Sequence, residues 1–162
     1  MESTHMTSPV STSKPKVFVI HGRDNAARDR IELILQRIGA EPMTLRKLPK
    51  KGGETLIEVL EASLPSADAV IVLMTPDDEG RLKDSNESLA SRARENVVAE
   101  AGYALIAKRK CSLIISLGGV SVPSDFAGIH RIDANHLDPS VQIQLANRLF
   151  DMGLPINLKG AA

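Results

Sequence analysis

Short runs of aliphatic and β-branched residues alternate along this chain with longer stretches whose apolar positions recur every three or four residues. Residues 16–20 (KVFVI) form a run suited to a buried strand, ending at His21-Gly22. Asp24 or Asn25 then offers an N-cap, and Ile31, Leu33, Ile34, Leu35 and Ile38 carry a helical pattern up to Gly39. Residues 41–45 read as a weak second strand. A second helix opens at Glu54 or Thr55, carries Leu56, Ile57, Val59 and Leu60, and ends near Pro65. Residues 67–74 (ADAVIVLM) give the clearest strand, and residues 111–117 (CSLIISL) give another, closed by Gly118-Gly119. Residues 130–133 predict a short edge strand. Residues 141–152 predict a last helix, stopped by Gly153.

Strands alternating with helices predict an α/β fold with a parallel sheet and helices on both faces. Right-handed crossovers place every strand-to-helix loop on one edge of such a sheet. Ligands bind there, outside the carboxyl ends of the strands. The loops of interest are therefore HGRDN, RKLPKKGGE, TPDDEGRLKDSNES and LGGVSVPSD. The segment 75–91 is long for a connection in this class and reads as a binding loop or lid.

Residues 94–110 (RENVVAEAGYALIAKRK) contain an awkward carboxylate. Val97, Val98, Ala101, Ala104 and Leu105 share one apolar stripe of a helix. Glu100 falls on the edge of that stripe, where a solvated charge does not belong. Two readings are open from position alone. Glu100 is a boundary residue paired with Arg94 or Lys108, or it is aimed into a ligand site.

Composition narrows the classes. At 162 residues and 43% hydrophobic, the chain is long and apolar enough to bury a core as one domain. Lys+Arg and Asp+Glu both number 20, so there is no electrostatic footprint for nucleic acid or an anionic membrane. Aromatics are 2%, which argues against base-stacking platforms. A single cysteine excludes a disulfide framework and a cysteine zinc cluster, and fits a reducing compartment. The longest apolar runs are far too short to span a bilayer, and the first residues lack a signal-peptide core. MESTHM carries a second Met after His5, the pattern of an expression-vector remnant.

The loops differ in the chemistry they offer. HGRDN places Gly22, Arg23 and a helix N-terminus together, which suits a phosphate or simply a capped tight turn. It is not the GxGxxG dinucleotide fingerprint. Arg46, Lys47, Lys50 and Lys51 precede Gly52-Gly53, a basic loop without P-loop spacing that serves either solvation or an anion. Asp77, Asp78, Glu79, Asp84 and Glu87 do not match an EF-hand, and no metal site is assigned. The histidines are scattered, G-x-S-x-G is absent, and Cys111 at the start of a buried strand reads as core.

Taken together, KVFVIHGRD, GGETLIEVLE, AVIVLMTPDDEGR, ARENVVAEAGYALIAKRK and VPSDFAGIHRI resemble the TIR-like domains of bacterial antiphage effectors, also labelled predicted nucleotide-binding proteins. The match runs from about Lys16 to the C-terminus. It implies a flavodoxin-like TIR fold with a five-stranded, mostly parallel sheet over residues 16–162, behind a disordered tail or remnant over residues 1–15. The resemblance also implies a cytoplasmic NAD+ glycohydrolase. Such domains cleave the nicotinamide–ribose bond after self-association into oligomers or filaments, and so deplete NAD+. NAD+ is the substrate, and no cofactor or metal is implied. A separate sensor protein or domain is an implied partner; nucleic acid and membrane are not.

By the same resemblance Glu100 takes the catalytic position. Substrate contacts fall on His21, Gly22, Arg23, Thr75, Asp77, Asp78, Arg94 and Asn96. Lys47, Lys50, Lys51, Gly52 and Gly53 fall in the mobile loop that touches the next protomer. Ala99 and Ala101 depart from the pattern, where many relatives carry phenylalanine and leucine, which implies a looser pocket wall. Two other functions fit the same residues. One is a non-catalytic TIR module for homotypic assembly. The other is a nucleoside deoxyribosyltransferase-like enzyme with Glu100 as covalent nucleophile.

Overall fold

The computed structural model describes residues 13–162. The expected tail over residues 1–15 thus lies, up to residue 12, outside the described residues.

Five strands form one sheet: β1 (Lys16–His21), β2 (Glu41–Met43), β3 (Ala69–Met74), then Ser112–Leu117 and His130–Ala134, which are β6 and β7 in chain order. The spatial order is β2-β1-β3-β6-β7, and every pairing is parallel. Four helices cover it: α1 (Asn25–Arg37), α2 (Leu56–Ser63), α3 (Glu95–Lys108) and α4 (Pro139–Asp151). The central strands β1, β3 and β6 are buried on both faces and are largely apolar rather than alternating, while the edge strands β2 and β7 are partly exposed. All six residues of β3 and of β6 are buried.

The pleat divides the core. Val17, Val19, Ile71, Leu113 and Ile115 point to one face, where they meet Ile31, Leu35 and Ile38 of the α1 segment and Leu145 and Leu149 of α4. Phe18, Ile20, Val70, Val72 and Ile114 point to the other, against Val59 and Leu60 of α2 and Val97, Ala101 and Ala104 of α3. Local signals set the helix ends. Asp24 caps α1 by accepting from the Ala27 N–H at 2.9 Å. Thr55 and Glu58 form a capping box at the start of α2. Gly39 and Gly153 follow α1 and α4 with φ of +86° and +89°, a region that favours glycine.

Three sequence expectations need correction. The segment 75–91 is not a plain loop: β4 (Asp78–Gly80) and β5 (Ala90–Arg92) pair antiparallel as a separate hairpin. Its strands are three residues each, and DEG shows no apolar alternation, so the chain carries no strand signal there. The hairpin is tied down where the Ser121 N–H donates to the Ser91 carbonyl at 2.9 Å. The second strand ends at Met43, because buried Leu45 begins a 3-10 turn over Leu45–Lys47. Cys111 closes another 3-10 turn, half-buried, and its strand begins at Ser112.

Candidate functional site

The strand order reverses direction at β1, which lies between β2 and β3. A doubly wound sheet leaves a crevice at such a switch point, beyond the carboxyl ends of the strands. A cleft of about 290 Å³ occurs there. His21, Gly22 and Arg23 reach it from the end of β1, Leu45 and Arg46 from the 3-10 turn, and Leu56 from the start of α2. Arg94, Asn96, Val97 and Glu100 reach it from α3 and its cap. Asn96 and Glu100 are four residues apart, so they stand on one face of the helix.

Glu100 is half-buried, and among the described residues no ion pair involves it. Pairing with Lys108 does not occur: the Lys108 ammonium donates to the Ala67 carbonyl at 2.9 Å. Burial pushes the Glu100 carboxyl above the usual carboxylate range, and the Arg46 guanidinium pulls it partly back. The opposing cation is thus Arg46, where the sequence suggests Arg94. His21 is held below its ordinary value, chiefly by burial, against a hydrogen bond to the Gly22 carbonyl. Arg28 and Arg46 add to the lowering. Burial thus favours the neutral ring. The cleft holds Arg23, Arg46 and Arg94 against the one carboxylate of Glu100, an excess of positive charge that suits an anionic ligand.

The remaining expected residues stand elsewhere. Thr75 and Asp77 do not line the cleft; they brace it from behind. The Thr75 hydroxyl donates to Asp77 Oδ1 at 3.0 Å, and the Arg23 N–H donates to Asp77 Oδ2 at 2.9 Å. Asp78, the first residue of β4, lines a different cavity with Arg92, Glu95 and Ser121. Lys47 pairs with Glu32 of α1, while Lys50, Lys51, Gly52 and Gly53 are exposed. Ala101 is fully buried in the core and Ala99 is exposed, and neither lines the cleft. Sequence reasoning missed Leu45, Arg46 and Leu56 as cleft residues. Arg46 sits among four cations of one loop, and nothing in the spacing separates it from its neighbours. Among the described residues, no three His, Cys, Asp or Glu side chains are grouped to hold a metal, and no helix is long and apolar enough to cross a membrane.

A parallel five-stranded sheet in this order, with its cleft at the reversal, defines an α/β domain of the flavodoxin-like class. Residues 16–136 match the model of the CAP12/Pycsar effector protein TIR domain, and the chain belongs to this family of antiphage effectors. It is 42% identical over 115 residues to the uncharacterized protein YuaY of Escherichia coli (strain K12), spanning 70% of this chain and 38% of that protein. It is 37% identical over 124 residues to protein tirC of Dictyostelium discoideum, spanning 70% of this chain and 61% of that protein. The chain thus matches less than two thirds of the length of either relative. The flavodoxin-like domain of a Synechococcus protein is similar in structure over 85% of this chain and 95% of that one, with a TM-score of 0.47 and 16% identity.

Proposed function

We propose that the cleft hydrolyses NAD+ at the nicotinamide–ribose bond, with Glu100 as the catalytic residue. The observation that carries this reading is a half-buried carboxylate, without an ion pair among the described residues, in a cleft whose other charged residues are the arginines Arg23, Arg46 and Arg94, in a TIR effector domain. Bond cleavage builds positive charge on the ribose ring. A carboxylate raised in energy by desolvation stabilises that charge and holds the ribose hydroxyls. The C1′–N bond breaks with its electron pair going to the pyridinium nitrogen, so nicotinamide leaves neutral. Water forms the new C1′–O bond and releases its proton to solvent, so the products are nicotinamide, ADP-ribose and H+. Arg23, Arg46 and Arg94 supply the charge that the pyrophosphate requires, and Asn96 stands beside Glu100 to orient the sugar. A cleft of about 290 Å³ is small for a whole dinucleotide and takes the nicotinamide riboside half.

Self-association into an oligomer or filament completes this reading, with the exposed Lys50–Lys51–Gly52–Gly53 stretch as the contact and a sensor protein or domain as the trigger. One observation favours a purely assembling module instead: Ile57 and Ile106, on α2 and α3, are 64% and 88% exposed.

The test is nicotinamide release from NAD+ by the purified chain at high concentration and in a forced oligomer, beside Glu100→Gln. Release abolished by the substitution supports the reading. Release that survives removes Glu100 as catalyst. Stable NAD+ in every assembly leaves the assembling module. Base exchange between deoxynucleosides, absent NAD+ cleavage, identifies a deoxyribosyltransferase-like enzyme.

A further inference from the structure

Glu32 of α1 is 6% exposed, an unusual place for a carboxylate. Its Oε2 meets the Lys47 ammonium in a short ion pair. Its Oε1 is buried without a hydrogen-bond partner. Arg28 Nε stands 3.9 Å from Oε1, and the Arg28 guanidinium donates to Asn25 and Asp29. A buried carboxylate missing its partner carries a heavy desolvation penalty. Glu32 therefore holds Lys47 firmly, although the lysine stem itself lies largely in solvent.

Lys47 ends the Leu45–Lys47 turn. Thr44 and Leu45 anchor the other end, both buried. Arg46 is the exposed residue between these two anchors, and its side chain lines the cleft. A three-residue 3-10 turn fixed at both ends leaves its middle residue little freedom of direction.

We propose that Glu32 is a positioning residue of the cleft: through Lys47 it holds Arg46 at the opening shared with Glu100, where the guanidinium receives the phosphates of a nucleotide substrate. The phosphate role rests on the NAD+ glycohydrolase reading; the positioning of Arg46 does not. Lys47 is then a strut of the site and is not released with the basic loop that follows it.

The test compares Glu32→Gln, Lys47→Met, the double variant and Arg46→Gln. Carbon-13 carboxyl labelling of glutamate follows Glu100 by NMR, a readout that a merely stabilising pair does not move. His21 and Arg23 from β1 and Arg94 from the cap of α3 also face Glu100 and stay unchanged throughout. Arg46→Gln is expected to raise the titration midpoint of Glu100. Glu32→Gln and Lys47→Met move it in the same direction, and the double variant moves it no further than either single one. In turnover, each is expected to raise KM for NAD+ by roughly tenfold with kcat nearly kept, as for loss of a charged binding contact. An unmoved midpoint in Lys47→Met, beside a moved one in Arg46→Gln, overturns the positioning role. So does a double variant whose shift is the sum of the two. If Lys47→Met fails to fold because it strands the buried Glu32 carboxylate, Glu32→Gln and the double variant, which leave no unpaired buried charge, carry the test: an unmoved midpoint in both, beside a moved one in Arg46→Gln, overturns the positioning role. If the unsubstituted chain never cleaves NAD+, the glycohydrolase reading fails by itself and the titration still decides the strut.

Discussion

The carboxylate of Asp77 occupies the space where a side chain on Gly22 would stand: a Cβ built there lies 1.8 Å from Asp77 Oδ2. Gly22 has no left-handed backbone to explain its identity, so close approach alone requires it. Gly22→Ala is expected to expel Asp77 and destabilise the domain by about 1–3 kcal/mol, the range for overpacking. In an Asp77→Ala background the obstacle is gone, and the same glycine substitution is expected to have a much smaller effect. Urea unfolding of the four proteins measures this; additive losses would refute the link between the two loops.

The proposed NAD+ cleavage predicts a pH dependence set by Glu100. In that proposal the carboxylate is the working form, and burial raises its pKa. Turnover is therefore expected to fall on acidification at a pH above the usual carboxylate midpoint. Arg46→Gln shifts that falling limb to higher pH, because Arg46 favours the ionised form. Arg46→Lys keeps it near its original place. A limb that ignores both substitutions excludes Glu100 as the titrating group.

The same shift has a consequence for stability. A carboxyl with a folded pKa above its unfolded value stabilises the fold below the unfolded pKa, and this is lost as pH rises through the folded pKa. At neutral pH the buried charge of Glu100 is then a liability to folding. Glu100→Gln is expected to raise the melting temperature at pH 7 and to do less at pH 4. Thermal melts at the two pH values check the direction. A lower melting point at pH 7 would reassign Glu100 as a stabilising residue.

Thr55 caps the helix that presents Leu56 to the cleft. Thr55→Ala is expected to cost about 1 kcal/mol, as for a lost N-cap. The Glu58 side of the box is pH-dependent. Its hydrogen bonds to the Thr55 backbone and hydroxyl hold the carboxyl below its usual value. That contribution is present above the unfolded pKa and is lost as pH falls through the folded one. The stability gap between the chain and Thr55→Ala is therefore expected to narrow in acid, which denaturant titration at two pH values measures.

The fold is legible where a single local cause decides the structure. KVFVI and AVIVLM are buried on both faces and read as strands from apolarity alone. Asp24, Thr55 and Gly153 mark helix ends through chemistry contained in a few residues. The β4–β5 hairpin escapes because its strands are short and polar and are held by pairing with each other and by Ser121. In the site, Glu100 stands out because its place on the helix stripe contradicts its charge. Arg46 does not, because its role depends on where Lys47 is tied, and Lys47 is tied to a residue 15 positions earlier on another helix. Thr75 and Asp77 sit in the expected loop, but only the distances show that they grip the β1 loop instead of facing the cleft.

The division of the core into two sides has a consequence for how outside contacts reach the cleft. The cleft lining ends at Glu100, and α1 and α4 pack on the sheet face opposite to α2 and α3. Between them stands a layer of strands in which every residue of β3 and β6 is buried. Such a layer is stiff, and close-packed interiors yield little to surface rearrangement. The outer surfaces of α1 and α4 are thereby a mounting plate: apart from the link between buried Glu32 and Lys47 that joins α1 to the cleft turn, their exposed positions are free to diversify without disturbing the cleft side of the sheet.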